Sequence, residues 1–215
     1  MNETEMEAIQ TEINESNTET VKDYLAGALH DGSLTTGHRV KYFQRDKSWI
    51  SNVIQPCLES VYDLTFGPKA VYWDHSKWVL HFGNQQIWND LSSRRKRNLK
   101  QLPRNAVIPY IRAFWDTDGG CPRHPSSQRK LYIDFTQKNP EILRIIKDIL
   151  NSYGIVAGEI RKSERKPSGD IHRFAITGKT GMLLFVRTIS SWHPTKRSRL
   201  ERISQLIEAS ATNVE

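Results

Sequence analysis

Two short segments, residues 24–32 and 111–119, each run an apolar stretch straight into Asp-Gly, and their carboxylates, Asp31 and Asp118, stand 87 positions apart. A unit that recurs at a fixed interval constrains a fold more than any single motif, because each copy must bury its apolar face against a similar neighbour. A carboxylate in the last turn of a helix faces the negative end of the helix dipole, where it is disfavoured unless a cation sits beside it. Gly32 and Gly119 are expected to supply the left-handed residue that ends such a helix. Ala26 and Ala113 each stand five residues before their Asp. Small residues there predict two helices packed backbone to backbone, with Asp31 and Asp118 drawn together. Either Asp-Gly alone reads as an ordinary turn; their agreement in spacing and flanks argues for a duplicated unit.

The flanking elements repeat as well. A helix over 21–30 is followed by a hairpin of strands 33–36 and 39–45 that turns at Gly37. Asp46 is a predicted N-cap for a helix to about residue 62, interrupted by Pro56. A second hairpin, 70–73 with 78–82, leads to a helix started by Asn84, which gives the order αββαββα. From Asn105 the order returns: the motif helix to Asp118, a strand over 130–137, a helix begun by Asn139-Pro140-Glu141 and ended by Gly154, a hairpin of 155–162 with 171–176, and helices over 181–189 and 196–209. In the 130–137 strand, Ile133 and Phe135 share one face and Tyr132, Asp134 and Thr136 the other. The expected fold is α/β, of the α+β kind, with two pseudo-symmetric αββαββα repeats joined by the two motif helices. The expected division is an acidic tail over 1–20, repeat one over 21–95, a basic linker over 96–104, and repeat two with a C-terminal helix over 105–215.

Charge narrows the partner. The net charge is +7, yet residues 1–20 hold six of the 24 acidic residues and no Lys or Arg. The rest therefore carries 31 basic against 18 acidic residues, a balance of +13 that points to a polyanion. The acidic segment has few large apolar residues, so composition predicts disorder. Two cysteines, Cys57 and Cys121, are too few for a disulfide framework or a multi-cysteine zinc site. With no long apolar run and no basic-then-apolar leader, the expectation is a soluble intracellular protein, cytoplasmic or organellar.

The paired segments resemble the LAGLIDADG family, whose two-motif members are single-chain homing endonucleases. The second copy is close to the family pattern; the first has Leu29 where an Asp is usual and His30 where a small residue is usual. The resemblance implies metal-dependent double-strand cleavage at a long asymmetric DNA site by a monomer. It assigns Asp31 and Asp118 to Mg²⁺, as two or more divalent ions, together with the main-chain carbonyls of His30 and Thr117. It also gives Gln44 and Gln137, at strand ends, the ordering of water near the metals. Lys196 is the expected basic residue near the cleaved phosphate, with Arg94 or Lys96 as its repeat-one counterpart.

For groove contact, the outward strand phases offer Arg39, Lys41, Arg45, Lys77, Lys130, Tyr132, Asp134 and Arg173, with Arg161, Lys162, Arg165 and Lys166 around the last hairpin. Laid along a saddle of two antiparallel sheets, such a set can read guanine and cytosine edges of double-stranded DNA. An intron-RNA maturase or a non-cleaving DNA-binding regulator on the same scaffold stays open, with intron RNA as its partner in the first case. Two other motifs are excluded. Thr177-Gly178-Lys179-Thr180 is no P-loop, because Arg173 stands where the first Gly is required. Cys121-Pro122-Arg123-His124 lacks a second ligand pair for zinc.

Overall fold

The computed structural model describes residues 3–165 and 169–212. The chain divides into two compact units, Met1–Thr117 with Trp192–Pro194 and Asp118–Ser191 with Thr195–Glu215. Each holds one four-stranded antiparallel sheet of the same connectivity.

Unit 1 begins with helices α1 (Glu3–Glu15) and α2 (Thr18–Ala28), then strands β1 (Ser33–Thr35) and β2 (Arg39–Gln44). Helices α3 (Lys47–Trp49) and α4 (Gln55–Tyr62) flank one π-helical stretch, Ile50–Ile54, and are followed by β3 (Val71–Asp74), β4 (Lys77–Gly83) and α5 (Gln85–Arg95). The strands lie in the order β1-β2-β4-β3. Asp46, Asn84 and Asn17 cap helices with their side chains, each accepting from a backbone N–H of the first turn. Val40, Tyr42 and Leu80 turn inward and are fully buried with Leu25, Trp49 and Phe114. Helix α6 (Arg104–Asp118) packs within this unit through all but its last residue.

The motif helices do meet backbone to backbone, at Gly27 rather than Ala26. A Cβ added at Gly27 would lie 2.3 Å from the carbonyl oxygen of Tyr110 in α6, and Ala26 and Ala113 are buried alongside. Neither motif glycine is left-handed, contrary to expectation; among the described residues, the positive-φ glycines are Gly37, Gly154 and Gly169. Gly32 is needed for room instead, since a Cβ there would lie 2.6 Å from the Lys41 carbonyl oxygen. A short turn and bend over residues 29–32 carry the chain from α2 into β1, so close strand approach replaces a Schellman turn.

The predicted acidic tail is corrected: residues 3–15 form α1, with Ile9 and Ile13 buried in unit 1. Spaced four apart, they share one helix face, a periodicity that a composition average hides. Glu12 pairs with Arg112 at 2.7 Å. Pro56 has no N–H for the carbonyl of Asn52, four residues back, and the Gln10 amide of α1 donates to that oxygen. The neighbouring π turn, where the Gln55 N–H reaches the Ile50 carbonyl, carries the helix past the proline without a break. Deleting residues 1–17 is therefore expected to destabilise unit 1 by roughly 3 kcal/mol or more, at about 1.5–3 kcal/mol for each buried isoleucine. Urea unfolding of the truncated chain checks this, and an unchanged midpoint would show α1 to be dispensable.

Unit 2 runs β5 (Gly119–Gly120), β6 (Ile133–Gln137), α7 (Pro140–Ser152), β7 (Arg161–Arg165), β8 (Gly169–Ile176), α8 (Lys179–Thr188) and α9 (Pro194–Thr212), in sheet order β5-β6-β8-β7. Strand β6 is shorter than predicted and leaves Lys130 and Tyr132 outside the ladder. β7 starts at Arg161 rather than 155; before it, Ala157 N–H bonds the Asn151 side chain and Gly158 N–H the Ala175 carbonyl, so the segment follows the sheet without joining its ladder. The amphipathic α7 buries Leu143, Ile146, Ile149 and Leu150 and ends at Gly154, as its spacing predicts.

Candidate functional site

In unit 1, α2 stops at Ala28, so Asp31 stands in the bend beyond the helix rather than in its last turn. Lys77, at the start of β4, brings its ammonium to 3.1 Å and 3.4 Å from the two carboxylate oxygens. The same ammonium lies 4.6 Å from the centre of the Phe43 ring. Asp31 thus has the cation its place in the sequence called for. Lys77, expected among the groove-facing residues, supplies it. Gln44 turns its carbonyl oxygen back onto the Arg45 N–H at 2.8 Å.

In unit 2 the helix continues through Asp118, and the Gln137 amide donates to its carboxylate at 2.8 Å. Gln137 also accepts from the Lys138 N–H, the turn that Gln44 makes with Arg45. Lys196, in the first turn of α9, donates to the Gly119 carbonyl at 2.7 Å. Asp118, Gln137 and Lys196 therefore gather around one chain reversal, the α6–β5 junction. Thr117, the residue before, bonds its hydroxyl to the Phe114 carbonyl. No group of three His, Cys, Asp or Glu side chains with metal-binding geometry occurs among the described residues.

Strand register sorts the remaining candidates. On the sheet of unit 1, Arg39 and Lys41 share a face with Phe43, Val79 and Lys77, opposite the buried Val40 and Tyr42. Arg45 is exposed just past β2. On the sheet of unit 2, Arg161 lies opposite Arg173 on the outer face. Lys162 falls on the other face and pairs with Asp170 at 2.7 Å. Lys130 is exposed, and the Arg173 guanidinium sits 5.2 Å from the centre of the Tyr132 ring. Arg165 ends β7, and Lys166 lies outside the described residues. Asp134, expected to face outward for base contact, is buried and ion-paired with Arg173. Its carboxylate fills the space above Gly120, where an added Cβ would lie 2.5 Å from Oδ1. Desolvation raises its pKa against the lowering pull of Arg173 and Lys196.

Arg94 is a correction too. It is buried and bonds Asp23, Glu19 and Asp90 at 2.7–2.8 Å, so it braces α5 against α2 and does not present itself to a phosphate. Asp116, which sequence reasoning passed over, is wholly buried in unit 1 and accepts from Tyr24 Oη at 2.7 Å and from the N–H groups of Trp192 and His193 at 3.0 and 3.2 Å. The pattern Asp116-Thr117-Asp118 held the only available signal: two carboxylates two apart on a helix cannot share a face.

His30 is half-buried against the rings of Tyr110 and Phe114, with Nε2 2.8 Å from the Tyr110 hydroxyl. Burial, and then the nearby Arg95 charge, lower its pKa to about 3. Between that value and the usual 6.5, the unfolded chain binds a proton that the folded chain does not. The contribution is fully present above about pH 6.5 and is lost as pH falls, at about 1.4 kcal/mol per unit. Between pH 7 and pH 5, stability should fall by roughly 2 kcal/mol through this residue, and His30→Gln should flatten that part of the profile. Urea midpoints of both proteins across this range decide it; parallel profiles would exclude His30 as the source.

Residues 105–190 match the LAGLIDADG-like domain family. Among solved structures, a mesophilic variant of the homing endonuclease I-DmoI superposes with a TM-score of 0.64 at 16% identity, covering 83% of this chain and 95% of that one. I-DmoI in complex with DNA and Ca gives 0.63 at 17%, over 87% and 100%. Full-length DUF199/WhiA from Thermatoga maritima gives 0.62 at 13%, over 96% of this chain and 72% of that one. No curated protein matches the sequence. No helix among the described residues is long and apolar enough to cross a membrane. The repeated element order, the common sheet topology and the domain match agree: this chain carries a LAGLIDADG-like domain at residues 105–190 and has the two-sheet LAGLIDADG fold.

Proposed function

We propose that the chain is a site-specific homing endonuclease that makes metal-dependent double-strand breaks at a long asymmetric DNA target, each motif carboxylate serving one strand. The carrying observation is that Asp31 and Asp118 stand at corresponding motif positions and each is held by a neighbouring side chain, the Lys77 ammonium at Asp31 and the Gln137 amide at Asp118, with Lys196 on the carbonyl that follows Asp118. The donors fit a hard divalent ion such as Mg²⁺. Each centre offers one carboxylate and the carbonyl of the preceding residue, His30 or Thr117, and leaves the other positions to water and phosphate oxygens. Solved I-DmoI complexes hold DNA with Mn or Ca, which supports the same class of ion and partner here.

A bound divalent ion would polarise the phosphoryl oxygen and lower the pKa of a bound water. Asp118 holds its place through Gln137, which positions the carboxylate and presents a polar edge to solvent. Lys196 places a positive charge beside the junction where a leaving oxygen gains charge. In unit 1, Lys77 must release Asp31 before a metal takes its oxygens, and is then free to meet phosphate. Arg39, Lys41, Arg161 and Arg173 bind the duplex from the outer sheet faces. We place the protein in solution as a monomer.

Neutralisation of Asp31 by Lys77 favours a second reading, a nucleic-acid-binding module without cleavage, either a DNA regulator or an intron-RNA maturase. Incubating the protein with plasmid carrying its gene's insertion site, with Mg²⁺ and with chelator, separates the two. Linear product that depends on Mg²⁺ is the expected result; tight binding with no strand cut would establish the module instead.

A further inference from the structure

We infer that the N-terminal half of α9, with the loop after β5, forms a phosphate track that holds the nucleic-acid backbone leading away from the Asp118 junction. Lys196, Arg199 and Arg202 recur every third residue, and all three reach the same stretch of chain. Lys196 donates to the Gly119 carbonyl, Arg199 lies close enough to Cys121 for its charge to act on the thiol, and Arg202 bonds the Ser126 hydroxyl at 2.9 Å. The stripe therefore faces one way, starts at the candidate metal centre and covers about 9 Å of helix axis. That length spans two to three phosphates of one strand, at about 3.4 Å of axis each.

Where the stripe ends, a concave pocket is lined by Arg123, His124, Arg199, Arg202 and three serines, with no carboxylate. Several other arginines are neutralised: Arg94, Arg97, Arg112, Arg144, Arg173 and Arg187 each pair with Asp or Glu. Among the described residues, Arg123, Arg199 and Arg202 have no such partner. Lys196, where the stripe begins, stands in the first turn of α9, which contains no acidic residue. Cations there oppose the positive end of the helix dipole. An arrangement with three guanidinium groups that have no acidic partner, together with hydroxyl donors, suits an oxyanion, and a row leading from the proposed cleavage centre suits the phosphodiester backbone.

The assignment rests on the nucleic-acid part of the proposed function and not on cleavage. It is tested in the full chain by fluorescence anisotropy, with a random-sequence DNA duplex as probe across a salt series. The variant Arg123→Gln/Arg199→Gln/Arg202→Gln should bind roughly ten- to a hundredfold more weakly, with a salt slope shallower by about two to three, since each phosphate contact contributes about 0.9. Changing the same residues to Lys should keep the wild-type slope. If the Gln variant keeps both affinity and slope, the track is overturned while DNA binding by the chain stands. A Lys variant that weakens as far as the Gln variant would show the effect to be structural and overturn it equally. A slope change seen with an RNA hairpin but not with the duplex would overturn the DNA partner. Failure of the wild-type protein to bind either probe would remove the proposed function itself.

Discussion

Asp118→Asn is expected to lower double-strand cleavage by roughly two orders of magnitude or more while leaving DNA affinity within a few fold. A neutral amide is a poor ligand for a hard divalent cation. Loss even of an outer partner of a metal typically costs about 10- to 100-fold, so removing the carboxylate should cost at least as much. Affinity, by contrast, comes largely from phosphate contacts remote from this side chain. Asp31→Asn should behave alike, and Gln137→Ala should lose less, because its amide positions the carboxylate and does not replace it. Single-turnover assays on plasmid carrying the target, with nicked and linear products counted separately, give the answer; wild-type rates in the Asp118 variant would end the metal assignment.

Asp116→Ala should be the most damaging change to the fold. Its carboxylate satisfies two buried backbone N–H groups and the Tyr24 hydroxyl, which in turn accepts from Trp49 Nε1 at 2.9 Å. Alanine leaves those groups without an acceptor in a dry site, at about 1–3 kcal/mol each, so a loss of roughly 3–5 kcal/mol is expected. The measurement is convenient because all six tryptophans belong to unit 1, so selectively excited tryptophan fluorescence follows that unit alone. A urea midpoint within experimental scatter of wild type would show that Asp116 is not the cap we take it to be.

The two predictions differ in how far the sequence revealed them. Element order was legible because its signals are local: Asp46, Asn84 and Asn139 cap the helices they appear to start, and the alternation in β2 and β6 buries the faces it marks. Asp31 and Asp118 stood out because they recur. What stayed hidden depends on partners remote in sequence. Helix α1 looked disordered by average composition, yet two isoleucines and one amide are enough to dock it. Asp134 looked like an outward reader because strand phase says nothing about a glycine on the neighbouring strand that makes room for a carboxylate. Arg94 looked like a phosphate ligand until three carboxylates, two of them from α2, closed around it. Lys77 was marked as basic and outward, which is true, but the carboxylate it serves lies 46 residues earlier.

The close approach at Gly27 has a consequence for how such a chain can diverge. A single methyl group there would lie 2.3 Å from a Tyr110 carbonyl oxygen, and no rotamer change can move a backbone. Asp31, a quarter exposed and held by a flexible lysine, is under no comparable steric veto. Scaffold and chemistry are thus written into different positions and can be lost separately. A descendant that exchanged its carboxylates for neutral residues would keep this architecture, whereas one that gained a β-carbon at position 27 would have to part its helices first. An architecture secured by a hydrogen atom can outlast the carboxylates it carries.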